Sequence, residues 1–338
     1  MSRYRCPACR TAVTRQETAW QCPACARDYP ILFGIADFRL APDRYLSLAE
    51  ERAKAALLHA FAQGHTFDET LAEYYRITDD VPPDMALHFA AYVRGGVARG
   101  ESVLDRLGAE GPLLDAGCGA GGLLVAAASA GHQVTGLDIA LRWLVIAQKR
   151  LAEAGLTAEL ICADITAPPL PPETFARIAA TDLFEHLPDP PRGAQALRHL
   201  ARPGARLFVT GANRFTLARY PLAGLWGVGF LPAGLRRAHV IRRRGLDTLR
   251  HATLTSPGQV ARLLRAAGFG GVRACAIAVP AGRARASGLQ MCAISIYKRL
   301  RTVPLAREAL ILIGPAFEIT ATAAEEIPPP LPPLFERI

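Results

Sequence analysis

The sequence lacks the features that carry a chain into or across a membrane. None of its hydrophobic runs reaches the roughly 18 consecutive apolar residues needed to span a bilayer. The N-terminus, MSRYRCPACR, has no long apolar core of the kind that signal peptides require. These absences predict a cytoplasmic protein. In that reducing compartment, eight cysteines are better interpreted as metal ligands or small buried side chains than as disulfides.

Charged residues are also scarce, at 20% of the chain against 51% hydrophobic residues. This balance is typical of a globular protein at the apolar end of the soluble range. Lysine and arginine number 39 and acidic residues 30, and the excess favours partners with phosphate groups, such as nucleic acid or anionic lipid. The composition does not choose between them. A length of 338 residues predicts about two domains.

Four of the eight cysteines lie near the N-terminus in two CPAC motifs, as Cys6, Cys9, Cys22 and Cys25. Two C-x-x-C turns supply the tetrahedral four-sulfur shell that structural zinc prefers. The short segment between the motifs is typical of a hairpin, and so small a unit needs the metal to fold. We therefore predict a zinc ribbon over residues 1–40. The other cysteines, Cys118, Cys162, Cys275 and Cys292, are predicted to be buried.

Residues 41–108 have helical periodicity and are predicted to form a helical connector that could act as a lid. Tyr74 and Tyr75 could close over a cofactor, although packing is the commoner role of such a pair. From residue 109 to 338, short apolar runs alternate with helical patterns, which indicates a parallel α/β sheet. Near the end, REALILIGPAF favours a core strand, although it could instead extend the apolar surface of residues 220–235. PAFEITATA favours a closing strand, before a proline-rich tail at 327–338.

The segment GPLLDAGCGAGGLLVAAASAG is the most informative in the sequence. A strand ends at a turn containing Gly117, Gly119 and Gly121, and a helix follows whose N-terminal amides would face a ligand. Asp138 ends the next strand, where a carboxylate can accept hydrogen bonds from ribose hydroxyls. The glycines alone fit either a nicotinamide dinucleotide or S-adenosylmethionine.

Asp115 directly before the turn favours S-adenosylmethionine, as do three segments that follow in order: ICADITAPPL, ATDLFEHLPDP and LARPGARLFVTGANRF. With them, residues 104–279 resemble the class I S-adenosylmethionine-dependent methyltransferases. The resemblance implies a Rossmann-like seven-stranded sheet with helices on both faces and S-adenosylmethionine as cofactor. It also implies four groups of cofactor-binding residues. Asp115, Gly117, Gly119 and Gly121 would line the methionine end, and Asp138 and Ile139 would bind the ribose. Asp164 and Ile165 would border the adenine, and Asp182 and Leu183 would lie below the sulfonium.

The motif FEHLPD resembles the Glu-His pair beside the acceptor in methyltransferases like those of ubiquinone and menaquinone biosynthesis. His186 could accept the proton of an acceptor hydroxyl, because its unperturbed pKa lies near neutrality. Alternatively, Glu185 and His186 only hold the loop by hydrogen bonds. The residues TDLF differ from the N-P-P-Y type sequence of amino-group methyltransferases, which argues against that chemistry.

The acceptor site is predicted from an insertion at about residues 213–256, which is long for a connection. Residues 220–235 carry no charge, and six arginines follow between residues 236 and 251. Apolar residues followed by arginines are typical of a membrane interface, so we expect a hydrophobic or lipid-like acceptor and a peripheral membrane contact through residues 220–244. The acceptor could be a lipid, isoprenoid, polyketide-like molecule or glycan intermediate.

RNA is a second interpretation. A zinc module before a methyltransferase domain resembles the large-subunit ribosomal RNA guanine methyltransferases, although the aromatics here are not interleaved with the arginines. The ribbon also resembles the small zinc-ribbon activators of methyltransferases, here joined in one chain. A non-catalytic cofactor-binding scaffold and a dehydrogenase are further alternatives.

Overall fold

The computed structural model describes residues 3–79, 81–108, 110–278 and 288–326, without the side chains of residues 288–291 and 293. The proline-rich tail predicted at 327–338 lies outside the described residues. The strands are β1 Thr14–Arg15, β2 Ala19–Gln21, β3 Asp28–Leu32, β4 Ile35–Asp37, β5 Leu113–Ala116, β6 Val134–Asp138, β7 Glu159–Cys162, β8 Phe175–Thr181, β9 Ala201–Ala212, β10 Phe269–Ala276 and β11 Ala316–Ala323. The helices are α1 Leu48–Ala62, α2 Phe67–Arg76, α3 Pro83–Arg94, α4 Gly96–Leu107, α5 Gly122–Ser129, α6 Leu141–Glu153, α7 Pro190–Leu200, α8 Ala233–Arg244, α9 Pro257–Ala266, α10 Gly288–Leu300 and α11 Pro304–Ile313.

Seven strands form the predicted α/β sheet in the order β7-β6-β5-β8-β9-β11-β10. The pairs from β7 to β9 are parallel, and β11 runs antiparallel to both β9 and β10. β11 corresponds to the predicted closing strand. The central strands are apolar on both faces because helices cover both, as parallel sheets require. The fold-class prediction is confirmed.

Helices pack on the two faces in separate groups. Leu113 of β5 packs with α1, α4, α5 and α6, whereas its neighbour Leu114 faces the opposite side with α7 and α9. Successive strand residues point to opposite faces, so the two leucines separate two apolar cores. The layers are therefore helix, sheet and helix.

The N-terminal residues extend this sheet. β1, β2 and β3 are antiparallel, β3 turns into β4, and β4 pairs in parallel with β7 through Ala36 with Ile161 and Asp37 with Cys162. The result is one sheet of eleven strands. Phe38 lies 5.0 Å from the rings of Tyr4 and Tyr29, so this unit shares an apolar core with the seven-stranded sheet.

The predicted helical connector consists of α1 to α4, with Pro83 as the first residue of α3. Ser47 and Thr66 cap α1 and α2 through capping boxes with Glu50 and Glu69. Tyr74 is buried against Trp143 of α6, with ring centroids 4.3 Å apart. The Tyr74 and Tyr75 pair therefore packs on α6, in the commoner of the two roles considered for it.

Two sequence predictions are wrong. REALILIGPAF does not form a core strand: its first seven residues end helix α11, which has no buried residue. A short apolar run does not by itself separate strand from helix. Cys118 and Cys162 are buried as expected, but Cys275 is half-buried and Cys292 is exposed.

Candidate cofactor and acceptor site

The predicted site residues lie at the carboxyl ends of four neighbouring parallel strands. Asp115 is within β5, Asp138 ends β6, Asp164 follows β7 and Asp182 follows β8. The strand order places β7, β6, β5 and β8 side by side, so these four positions run along one edge of the sheet. Ligands of open α/β sheets bind at this edge.

Asp138 joins the glycine-rich turn to the next helix. Its two carboxylate oxygens accept the backbone amides of Gly119 and Ala140, each at 2.8 Å. Burial raises the pKa of Asp138, and the two amide donors oppose that shift. The carboxylate thereby sets the distance between the turn before α5 and the start of α6.

The three glycines of the turn differ in what surrounds them. An added Cβ would lie 3.0 Å from Leu183 at Gly117 and 2.9 Å from Ala147 of α6 at Gly121. At Gly119, where φ is +47°, it would meet no atom within 4 Å. Gly119 therefore faces open space that a ligand could enter, whereas Gly117 lies against the side chain of Leu183. Gly121 instead permits close packing on α6.

Asp115 carries an acceptor oxygen without a partner. Its side chain is buried, and its Oδ1 has no hydrogen-bond donor among the described residues. Burial and then the nearby Asp138 raise the pKa of Asp115 to about 7. An unpaired buried acceptor is costly unless a ligand satisfies it. A bound ammonium group would do so, which fits the methionine end of S-adenosylmethionine.

The predicted adenine side lies against the N-terminal unit. Asp164 accepts the Thr166 amide at 2.8 Å, and Ile165 is buried. Arg39, which follows β4, donates to the carbonyl of Ile139 at 3.3 Å. Arg10, beside the first CPAC motif, donates to the carbonyl of Pro168 at 2.8 Å. Two arginines that the sequence analysis did not single out thus hold the loops on this side.

Asp182 has a left-handed backbone, with φ at +52°. Its carboxylate accepts the hydroxyl of Thr210 at 3.2 Å and that of Tyr92 from α3. Left-handed non-glycine residues are costly and cluster at functional sites. Tyr92 reaches the site from the connector over a separation of 90 residues, which no sequence pattern indicated.

Glu185 is a buried carboxyl group on the 3₁₀ turn Phe184–His186. Its Oε1 accepts the Ala212 amide at 3.4 Å, and its Oε2 has no donor among the described residues. Burial and the nearby Asp182 raise the pKa of Glu185 to about 8. The backbone carbonyl of Glu185 accepts the Thr253 amide at 2.7 Å, so the insertion packs on this turn.

His186 is held by a tyrosine from the segment before α1. The hydroxyl of Tyr45 lies 3.0 Å from Nδ1 of His186, and the Tyr45 ring lies 4.8 Å from that of His251. With Nδ1 engaged, Nε2 is the nitrogen left for a substrate. Burial lowers the pKa of His186, which keeps the imidazole neutral and able to accept a proton. The sequence analysis missed Tyr45 and His251.

The four N-terminal cysteines converge as predicted. Their Sγ atoms all lie within 4.8 Å of one another, with Cys6 to Cys25 at 3.6 Å and Cys9 to Cys22 at 3.4 Å. Zinc–sulfur bonds of about 2.3 Å imply sulfur separations of about 3.8 Å around a tetrahedron. The donor set and its spacing fit a zinc ion.

The insertion has a small core of its own, formed by residues such as Tyr220, Val228 and Val240. Arg244 at the end of α8 donates to the Ala223 carbonyl at 2.7 Å and pairs with Asp84 of α3 at 2.8 Å. This arginine, the last residue of the predicted membrane contact, is thus engaged within the fold.

The central part of the chain is similar to known methyltransferases. Residues 113–204 match a family described as a methyltransferase domain. The ubiquinone biosynthesis O-methyltransferase of Xylella fastidiosa is 33% identical over 160 residues, which are 46% of this chain and 60% of that protein. The corresponding protein of Chromobacterium violaceum is 30% identical over 161 residues, 47% of this chain and 64% of that protein. The chain thus spans less than two thirds of these relatives.

Among solved structures, Haemonchus contortus phosphoethanolamine N-methyltransferase 2 superposes with a TM-score of 0.46 at 16% identity, over 76% of this chain and 57% of that one. In the described part of the chain, every helix is too short or too polar to cross a membrane. The part of the chain that is similar to these proteins, residues 113–204 in the family match, spans the sheet from β5 to the start of β9.

Proposed function

We propose that this protein transfers a methyl group from S-adenosylmethionine to a hydroxyl group of a hydrophobic, quinone-type acceptor. The observation that carries the proposal is His186, whose Nδ1 is engaged by Tyr45 and whose Nε2 is left for a substrate. The similarity to ubiquinone biosynthesis O-methyltransferases supports an acceptor hydroxyl on a lipid-like ring.

The cofactor would lie along the strand ends. Asp115 would accept its ammonium group, Asp138 its ribose hydroxyls and Asp164 its adenine amine, while Gly119 leaves room for it. Ile139 would lie beside the ribose, Ile165 would border the adenine, and Asp182 and Leu183 would lie below the sulfonium. When bound, the cofactor supplies an electrophilic methyl group, so the protein mainly has to align donor and acceptor.

His186 would act as the general base. The acceptor oxygen bonds to the methyl carbon as the carbon–sulfur bond breaks, and the hydroxyl proton passes to Nε2 of His186. The imidazolium that forms carries its second proton on Nδ1, where the Tyr45 oxygen accepts it. Glu185 is protonated up to about pH 8 and stands beside the insertion that would enclose the acceptor.

A structural zinc ion would be held by Cys6, Cys9, Cys22 and Cys25. Its contribution is to folding, because the four thiolates close the turns of the N-terminal unit around one ion. Through β4 and Arg39, that unit supports the cofactor loop at Ile139.

The protein would meet its acceptor at a membrane surface. Residues 220–244 include the exposed Trp226 and Phe230, and the exposed arginines Arg242 and Arg243. Aromatic and arginine side chains together favour the interface between lipid tails and headgroups. A quinone-type acceptor would be concentrated there.

The experiment that tests the function uses methyl-labelled S-adenosylmethionine, the purified protein and an extract of cells that lack it. The extract is afterwards partitioned into organic, RNA, protein and aqueous fractions. Label in the organic phase, as a methyl ether by mass spectrometry, supports the proposal. Label in RNA or protein overturns it, and absence of label in every fraction, with S-adenosylhomocysteine bound, supports the non-catalytic scaffold instead.

His186→Ala is the matched variant for this assay. It should lose most of the label while binding S-adenosylhomocysteine as tightly as the wild type, because His186 touches the acceptor side only. A variant that methylates at the wild-type rate would show that His186 is not the base.

A further inference from the structure

Exposed apolar side chains are concentrated in two segments of the chain. Of fifteen exposed large apolar side chains among the described residues, twelve lie in the insertion or in the hairpin of α10 and α11. Six of them define what we call the apolar face: Phe215, Leu217, Trp226, Phe230, Leu305 and Leu312. An apolar surface concentrated in this way marks an interaction site.

Hydrogen bonds join the two segments. Leu217 donates its amide to the carbonyl of Ile313 at 3.0 Å, and the Asn213 side chain donates to the carbonyl of Leu312 at 2.8 Å. The rings of Phe215 and Phe230 lie 5.7 Å apart. The end of α11 is thus attached to the start of the insertion, which brings Leu312 close to the segment that carries Phe215 and Leu217.

Helix α11 packs on β10 and α10 but leaves apolar side chains exposed. It is rich in leucine and isoleucine, yet none of its residues is buried. Leu305 and Leu312 are 86% and 64% exposed, and two helical turns place them on the same side. Leaving such a side in water is unfavourable, so it is suited to contact with another phase or molecule.

The charge of the chain is concentrated around the same face. Residues 213–256 and 288–313 contain twelve of the 39 basic residues but only two of the 30 acidic residues. Arg242, Arg243, Lys298 and Arg299 are exposed there. The rest of the chain has almost equal numbers of both signs, so the excess positive charge belongs to these two segments.

We infer that the apolar face, together with the basic residues around it, docks on the surface of a bilayer that contains anionic phospholipid. Leu305, Leu312 and Trp226 would enter the level of the upper acyl chains, and the arginines and lysine would meet phosphate groups. A second copy of the chain is disfavoured, because two such faces would bring their positive charges together. The aliphatic residues of α11 offer no ring for stacking on RNA bases.

The inference extends the membrane contact of the proposed function from residues 220–244 to Phe215, Leu217 and the hairpin. Docking itself does not require the proposed function. Only its purpose, access to a lipid-soluble acceptor, rests on that function. The insertion packs on Glu185 through Thr253, so a protein docked by this face would hold its acceptor side toward the membrane.

The test is flotation of the full-length protein with phosphatidylcholine vesicles, with and without phosphatidylglycerol, in the absence of cofactor and acceptor. We expect binding to the mixed vesicles that weakens with salt, and at least about tenfold weaker binding for Leu305→Glu with Leu312→Glu. The double substitution Arg242→Glu and Arg243→Glu should weaken binding to the vesicles with phosphatidylglycerol more than binding to phosphatidylcholine alone.

Leu57→Glu is the matched control, because Leu57 is also 64% exposed but lies on α1, which packs on α6 away from the hairpin. It should bind like the wild type. No binding to either vesicle, equal loss in Leu57→Glu, or a stable dimer or RNA complex abolished by the Leu305 and Leu312 substitutions would each overturn the inference. Failure of methyl transfer with intact vesicle binding would count against the proposed function alone.

Discussion

The hydroxyl of Tyr45 lies 3.0 Å from Nδ1 of His186, although 141 positions separate the two residues in the chain. Tyr45 precedes α1, and the same segment carries Asp43, which pairs with the buried Arg142 of α6 at 2.8 Å. Arg142 also pairs with Glu51 of α1. These buried ion pairs hold the segment across the sheet edge, so Tyr45 is fixed over the proposed base.

Tyr45→Phe should reduce the rate of methyl transfer about fivefold, because it removes one hydrogen bond of roughly 1 kcal/mol that stabilises the imidazolium. The pKa of His186 should fall further, so the rising limb of the pH profile should move to lower pH. The profile of kcat and the KM for S-adenosylmethionine would be measured together, and KM should not change.

Tyr75→Phe is the control for Tyr45, because Tyr75 packs on Tyr74 rather than on the base. It should leave the pH profile as in the wild type. A Tyr45→Phe enzyme with a lower rate but an unmoved pH profile would show a purely structural role.

Asp115 should lose a proton when the cofactor binds. Its pKa of about 7 in the free protein leaves much of it protonated below that pH, and a bound ammonium group favours the carboxylate. Calorimetric titration with S-adenosylhomocysteine in buffers of different ionisation enthalpy should show proton release that diminishes as the pH rises above 7. Asp115→Asn should bind more weakly and lose this component, and an unchanged proton release would place the ammonium group elsewhere.

Gly119→Ala should weaken binding of S-adenosylhomocysteine at least about tenfold. The alanine side chain would occupy the open space beside Gly119 in which the cofactor is proposed to lie. Gly131→Ala is the matched control, since Gly131 also has a positive φ and open surroundings but follows α5. Both substitutions should cost roughly 1 kcal/mol of stability from backbone strain. Equal affinities in the two variants would show that Gly119 does not face the cofactor.

Glu185→Gln should change how stability depends on pH. The folded-state pKa of Glu185, about 8, exceeds the value near 4.3 expected for an unfolded chain. The wild type therefore has its full stability contribution from this carboxyl below about pH 4 and loses it as the pH rises toward 8. Urea unfolding should find the Gln variant progressively more stable than the wild type over that range, whereas parallel stability curves would contradict the raised pKa.

Removal of the metal should destabilise the whole protein. Purified protein should contain zinc, and Cys22→Ser should lose it and unfold at a temperature lower by roughly 5 °C or more. The reason is that the N-terminal unit shares its core with the sheet through Phe38. Cys275→Ser, at a half-buried position on β10, should keep its metal and its Tm. Wild-type protein without metal would contradict the zinc assignment.

Much of the fold and of the cofactor side follows from local sequence patterns. The two CPAC motifs, the turn around Gly119 and the carboxylates that follow successive strands are short-range signals, and the structure gathers them at the N-terminal unit and along one sheet edge. Parallel pairing then brings Asp138 to the amide of Gly119 without any special contact between distant segments.

The acceptor side could not be predicted in the same way. Tyr45, Tyr92 and His251 have no motif, and α11 was expected to be a strand because its apolar run is ambiguous by length. The contacts of Arg244 with Ala223 and Asp84 likewise have no local pattern that would predict them.

The sequence by itself determined the sheet, the four-cysteine cluster and the carboxylates of the cofactor edge, because each depends on residue spacing within one or two neighbouring elements. Only the tertiary structure decided that Tyr45 contacts His186, that Tyr92 contacts Asp182 and that the insertion and α11 share one exposed apolar face. Those relationships depend on how the connector and the hairpin fold back over the sheet, and contacts between such distant segments leave no periodic trace in the chain.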